Sequence, residues 1–269
     1  MTSSILYTTD YRLLVVLLFG GIILFYFLGL SVLLRKVRRS PAFEPSGMGP
    51  FEGAMLGLIS LLLAFTFSTA ASYYNSRREE LINETNAIGT AVFRADLYPD
   101  SIRRQFRQDF KKYVNARIRY YQAGTDPGEI AQSIDEANAI SQRLWDRAAA
   151  ISKLDGSPTK SMQMIPAIGD IIDAVSSREE ARVARIPGSI LWLLFTLCMA
   201  GSFIVGYASK SKKADWVVLL SYSLVTVMTI YLIMDLDRPR YGIINTKTTH
   251  RNMYNLLESL EDVKTIPEK

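Results

Sequence analysis

The chain has 269 residues but only one cysteine, Cys198, and one histidine, His250. That scarcity excludes an internal disulfide framework, a zinc site built from Cys and His, and a Cys/His nucleophile pair. The sequence also lacks a glycine-rich phosphate loop, a metal-ligand pair at helical spacing and a strand-turn-helix pattern that could present a nucleophile. The chain does not read as an enzyme and calls for no cofactor and no metal. What it has is segregation: 49% of residues are hydrophobic and 21% are charged, so apolar and polar material must alternate in blocks.

Four apolar blocks stand out, Leu13 to Leu34, Gly53 to Ala71, Ile190 to Ala208 and Trp216 to Met234. Each is close to the roughly 20 residues a helix needs to cross a bilayer, and each has aromatic or basic neighbours suited to the interface. The first is too long for the apolar part of a secretion signal, has no basic segment before it and no small-residue cleavage site before Arg35, so it is expected to stay in the mature chain. The expected fold class is an all-α integral membrane protein, with four transmembrane helices and a helical-bundle soluble region between the second and third spans. The expected divisions are 1–50 for the first span and a basic loop, 51–73 for the second span, 74–186 for the soluble bundle, 187–235 for the third and fourth spans, and 236–269 for a C-terminal tail. The net charge of +5 flanks the spans, which points to lipid headgroups and orientation and away from nucleic acid.

Within the polar region the second span is expected to continue as one helix to a break at Tyr98-Pro99, because no proline interrupts it. Phe106, Phe110, Tyr113, Val114, Arg117 and Tyr121 recur at three- and four-residue spacing, predicting a second helix that ends near Gly124. Thr125-Asp126-Pro127 is a start signal for a third, with Ile130, Ile134, Ala137, Ile140, Leu144 and Ile151 as its buried face and a stop at Asp155-Gly156. Ser157-Pro158 opens a fourth, which Pro166 and Pro187 kink or divide. The first connecting loop carries Pro41, Pro45 and Pro50 and cannot be helical throughout.

The second span differs from the others in carrying small and hydroxyl residues on more than one face, Gly57, Ser60, Ala64, Ser68, Thr69 and Ser72 among them. Such a face suits helix contact or a wet lumen better than lipid. Beyond it, Glu79, Glu80 and Glu84 stand beside Arg77 and Arg78 at spacings where helix neighbours pair, a pattern read as a solvated helix face in preference to an ion site. Asp235, Asp237 and Arg238, followed by Pro239 and Arg240, form a boundary motif read as an interfacial stop with internal ion pairing in preference to an ion-binding site. Tyr73, Tyr74, Trp192, Tyr207, Trp216 and Tyr231 read as an interfacial belt.

The string SLLLAFTFSTAASYYNSRREELINETNAIG resembles the second-span region of bestrophins, and is closer to the bacterial membrane proteins of the bestrophin-like domain family. In that family LLLAFTFS, the arginine pair, the NETNAIGTAVFRADLYP-type segment and a late LDRPRYG-type segment recur; here they lie at Leu61 to Asp96 and at Leu236 to Gly242. The resemblance implies a homo-oligomer, a pentamer by analogy with bestrophin anion channels, placed as a multi-pass protein in a bacterial inner membrane and conducting inorganic ions along its second spans. Phe65 then falls on the phenylalanine of a narrow neck, and Leu61 and Gly57 on the two apolar positions before it. Gly57 cannot supply an apolar ring, and Tyr74 and Asn75 stand where bestrophins carry paired tryptophans. The pore-lining set expected on this basis is Gly57, Leu61, Phe65, Ser68, Thr69 and Ser72, leading to a vestibule with the charges Arg77, Arg78, Glu79, Glu80 and Glu84. The alternative is a membrane sensor or scaffold whose bundle binds a ligand or partner. Orientation has two readings: Arg35, Lys36, Arg38, Arg39, Lys210, Lys212 and Lys213 in short loops place those loops in the cytoplasm, whereas the resemblance places the bundle and both termini there.

Overall fold

Proline marks the start of most helices in the computed structural model, which describes residues 9–40, 42–43, 47–124, 126–154, 158–210, 213–238 and 247–261. Following α1 (Tyr11–Arg39), α2 (Pro50–Ala95), α4 (Pro127–Leu154) and α5 (Pro158–Val183) all begin on a proline, whose missing N–H would have no intrahelical partner there in any case. Pro99 and Pro187 cap α3 (Asp100–Gln122) and α6 (Gly188–Tyr207), so Pro187 divides two helices while Pro166 lies inside α5. The chain closes with α7 (Trp216–Asp237) and α8 (Lys247–Glu261). The described residues hold helices and no strand, and four stretches are long and apolar enough to cross a bilayer: α1, α2, Pro158–Tyr207 and α7. The expected all-α, four-span class is what the structure shows. The expected signals at Pro41, Pro45, Thr125, Asp155-Gly156-Ser157, Lys212 and Pro239 to Gly242 lie outside the described residues.

Two compact units divide the chain: Met1–Tyr74 with Arg185–Ile244, and Asn75–Ala184 with Asn245–Lys269. In the first, α1 packs on α6 and α7. Apolar helices gain little from hydrophobicity in lipid, so contact rests on close approach and hydrogen bonds. Both are visible. A Cβ on Gly29 would lie 2.1 Å from the Phe203 carbonyl oxygen, and one on Gly206 would lie 2.1 Å from that of Tyr26, so glycine alone fits where α1 and α6 cross. Beside this crossing the Ser202 hydroxyl donates to the Ile22 carbonyl at 2.6 Å. The Tyr222 hydroxyl donates to the Cys198 carbonyl at 2.9 Å, tying α7 to α6.

The second unit is a bundle of the polar half of α2 with α3, α4, α5 and α8. Its core joins Ile88, Ala91 and Val92 of α2 to Phe106, Phe110 and Tyr113 of α3, Ile140 and Leu144 of α4, and Met164, Ile168 and Ile171 of α5. Each large apolar side chain buried there contributes about 1.5–3 kcal/mol. The helix α8, not anticipated for the tail, adds Met253 and Leu260 to this core. Its docking is reinforced by Gln122 donating to the Tyr254 hydroxyl at 3.1 Å and by a Lys111–Glu261 ion pair at 2.8 Å.

Candidate functional site

At 3.6 residues per turn, Gly57, Leu61, Phe65, Ser68 and Ser72 fall within about 80° of arc on α2, and Thr69 about 40° further on. All six are exposed on the chain, Leu61 by 52% and Phe65 by 63%. The opposite side carries Ile59, Leu63, Thr66 and Ala70, a buried stripe about 60° wide, and Leu56, Leu62 and Ala71 pack beside it against the core of the same unit. The exposed side is open at close range: a Cβ at Gly53 or Gly57 would meet no atom within 4 Å. The Thr69 hydroxyl donates back to the Phe65 carbonyl at 3.0 Å and Thr66 to Leu62 at 2.8 Å, so these protons stay within the helix. The Ser68 and Ser72 side chains point to the exposed side.

The boundary motif is enclosed by its own unit. Asp235, Asp237 and Arg238 are buried within the first unit. Asp235 accepts from the Tyr11 hydroxyl at 3.0 Å, and Asp237 accepts the Ile186 backbone N–H at 3.1 Å, just before α6. Arg238 donates to the Thr9 carbonyl at 2.9 Å, with its guanidinium carbon 5.7 Å from the Tyr11 ring centre. Buried carboxylates persist only when hydrogen-bonded or paired, and this set binds the end of α7 to the start of α1 and the approach to α6.

Among the expected vestibule charges the structure separates two groups. Arg78 and Glu79 are exposed and Glu80 is half-buried. Arg77 and Glu84 are buried, which corrects the reading of a solvated face at those two positions. Arg77 Nε donates to the Ala181 carbonyl at 3.1 Å, and its Nη2 donates to Ala184, so the cation sits at the C-terminal end of α5, where the helix dipole favours it. Glu84 lies in the polar half of α2, fully enclosed. Its carboxylate is shared by Arg117 on α3 and Arg178 on α5, the latter at 2.6 Å, and also accepts from the Tyr121 hydroxyl at 3.2 Å. Burial acts to raise the Glu84 carboxyl, but the charges of Arg178 and Arg117, with their hydrogen bonds, override it and hold it at about 2. Burial, and then the Glu84 charge, push the Tyr121 phenol above its ordinary range, so it remains a donor. The single histidine closes the cluster from α8, its ring stacked on Tyr121 with centres 4.1 Å apart.

Sequence reasoning missed Arg117, Tyr121 and Arg178 as partners of Glu84, and Tyr11, Thr9 and Ile186 as partners of the boundary motif. One signal was available. Arg117 stands in the aromatic stripe of α3, and an arginine on a buried helix face calls for a buried counter-ion.

A profile of the bestrophin-like domain matches residues 15–250. No curated protein sequence matches. Among solved structures, a single-substitution variant of a bacterial bestrophin homolog from Klebsiella pneumoniae is similar with TM-score 0.73 and 12% identity, over 94% of this chain and 98% of that one. A second such variant gives TM-score 0.71 at 12% identity, over 92% and 99%. A crystal structure of a membrane protein gives TM-score 0.69 at 11% identity, over 93% and 97%. At these identities the likeness to the solved structures is one of fold. With the family profile spanning most of its length, the chain belongs to the bestrophin-like domain family.

Proposed function

We propose that this chain is one subunit of a homo-oligomeric ion channel, a pentamer by family resemblance, in which the exposed face of α2 lines the ion path. The observation that carries the proposal is the difference between exposed faces. The exposed faces of α1 and α7 are mostly large and apolar, as lipid requires: on α1 Leu13, Val16, Leu17, Phe19, Leu24, Phe27, Leu28 and Val32 with Gly20 as the one small residue, and on α7 Val217, Val218, Leu220, Leu224, Val225 and Met228 with Ser221 as the one hydroxyl. The exposed face of α2 instead carries Gly57, Ser68, Thr69 and Ser72 around Leu61 and Phe65. Small and hydroxyl groups on a span suit contact with other helices or with water. A single four-helix unit has no spare interior for ions, so a path along this face requires several copies around an axis.

In this reading Leu61 and Phe65 form an apolar constriction that gates by dewetting, and Ser68, Thr69 and Ser72 offer hydroxyl dipoles to ions waiting beside it. Anions are the proposed cargo by family resemblance. With Arg77 and Glu84 withdrawn into the bundle, the charges left to bias selection are Arg78 against Glu79 and Glu80. The experiment is ion flux and single-channel recording from the purified protein in liposomes, comparing wild type with Leu61→Ala and Phe65→Ala combined. A constriction predicts a large rise in conductance or open probability with the oligomer intact. Absence of flux from wild type refutes the channel and leaves the scaffold reading; loss of folded oligomer without gain of flux removes Leu61 and Phe65 from the pore.

A further inference from the structure

Three segments of the first unit converge where α1 ends. The Lys36 ammonium donates to the Tyr207 hydroxyl at the end of α6, 3.0 Å away, and lies 4.3 Å from the centre of the Phe43 ring in the following loop. That loop is held back on the helix by Ser40 N–H donating to the Lys36 carbonyl at 3.0 Å and Phe43 N–H donating to the Ser40 carbonyl at 2.8 Å. Four residues on, Gly47 adopts φ +77°, a left-handed conformation, and the Lys210 side chain lies so close that its Cε would be 2.5 Å from a Cβ there. Lys36 and Lys210 are therefore set on one small rim by aromatic and backbone contacts.

The surroundings are basic on balance. Arg35, Arg38 and Arg39 are exposed at the end of α1, and Lys213 is exposed in the connection that follows α6. Against them stand two described carboxylates: Glu52, which accepts from Gly49 N–H at 3.0 Å, and Asp215, which accepts from Val217 and Val218 N–H, each at 3.1 Å. Glu44 and Lys212, of opposite charge, lie outside the described residues. Trp216 opens α7 at this same end, 59% exposed and edge-on to Phe27, as an indole does at the level of lipid headgroups.

We propose that this rim is a binding site for the phosphodiester headgroup of an anionic phospholipid, with Lys36 and Lys210 as its positioned cations and Arg35, Arg38 and Arg39 as a surrounding field. The position selects a lipid over a soluble anion. The cations stand at the ends of α1 and α6, where a span meets the headgroup layer, and their aromatic companions suit the glycerol and upper acyl region.

The test is lipid retention, read by native mass spectrometry, after reconstituting the full chain in mixed phosphatidylcholine and phosphatidylglycerol nanodiscs and extracting it with mild detergent. Wild type should retain phosphatidylglycerol selectively, with affinity falling about fivefold for each of Lys36→Gln and Lys210→Gln. High salt should erase the preference in wild type itself, a readout that needs no variant to fold. Arg104→Gln and Arg143→Gln, which remove exposed charge from the second unit, should retain lipid as wild type does. Equal retention in the double rim variant, equal loss in the controls, a salt-insensitive preference, or equal occupancy by inorganic phosphate without lipid would each overturn the assignment.

Discussion

Replacing Glu84 by Gln is the sharpest test of the buried cluster, because it keeps the shape of the side chain and removes the one negative charge facing two guanidinium groups. The Arg117 side chain is 3% exposed and that of Arg178 13%, so neither finds water easily once the carboxylate is gone. Breaking a buried pair by removing one partner costs about 3–5 kcal/mol. The lower end applies here, since the Gln carbonyl still accepts one hydrogen bond and Arg178 keeps a solvent edge. Against a total stability of about 5–15 kcal/mol the loss is large, and for a chain of this size a loss of about 3 kcal/mol lowers Tm by roughly 6–12 °C. The assay is thermal unfolding in detergent followed by circular dichroism, with Glu84→Gln combined with Arg117→Met as the compensating variant; an apolar replacement should recover part of the loss. The pH dependence has a defined sign. Folding depresses the Glu84 carboxyl, so its contribution is fully present above its ordinary value of 4.5 and is lost only as pH falls towards about 2. The difference between wild type and Glu84→Gln should therefore stay constant from neutral pH down to 4.5. A Tm unchanged by the substitution, or a difference that shrinks well above that value, would refute the reasoning.

Other sites give smaller and more local effects. Arg77→Met removes the cation from the carbonyls of Ala181 and Ala184, and should cost about 1–2 kcal/mol and speed hydrogen exchange in the last turn of α5 before the rest of the bundle. Tyr11→Phe withdraws the hydroxyl from the buried Asp235 carboxylate and should lower stability by about 1–3 kcal/mol, measured as detergent-denaturant unfolding followed by tryptophan fluorescence.

What was legible in the sequence follows from how far each interaction reaches along the chain. Helix positions came through because their causes are local: three- and four-residue apolar spacing, and prolines at Pro99, Pro127, Pro158 and Pro187 that each begin or precede a helix. The partners of Glu84 did not. Along its own helix the nearest cations are Arg77 and Arg78, yet the carboxylate is held from Arg117 and Arg178, 33 and 94 residues away, where only tertiary packing decides. The helix α8 shows why a pattern alone is insufficient: Met253, Leu256, Leu257 and Leu260 do recur at helical spacing, but a short amphipathic helix is stable only against a surface, and that surface is assembled from residues far earlier in the chain. For the face of α2 the unusual chemistry was readable from Gly57 to Ser72, whereas what covers that face has no signature in one chain.

Glycines offer a way to tell those two kinds of contact apart. At Gly29 and Gly206 an added Cβ collides at 2.1 Å with a backbone carbonyl of the opposing helix, and backbone cannot rotate away as a side chain can. Gly29→Ala or Gly206→Ala should therefore force α1 and α6 apart, break the neighbouring Ser202 hydrogen bond to Ile22, and abolish the folded protomer at any concentration. At Gly53 and Gly57 the same added carbon meets nothing within 4 Å of its own chain. In these two positions Ala should leave the protomer folded, and its exchange for Gly even favours a helix by about 1 kcal/mol. A larger group then reports on what lies outside the chain. If other copies pack against this face, Gly57→Leu yields a folded protein whose native mass falls below that of the wild-type oligomer and whose flux is lost or altered. If the face is turned to lipid, an extra leucine is welcome there, and mass and flux remain those of wild type. That second outcome would remove α2 from the oligomer axis and with it the proposed ion path.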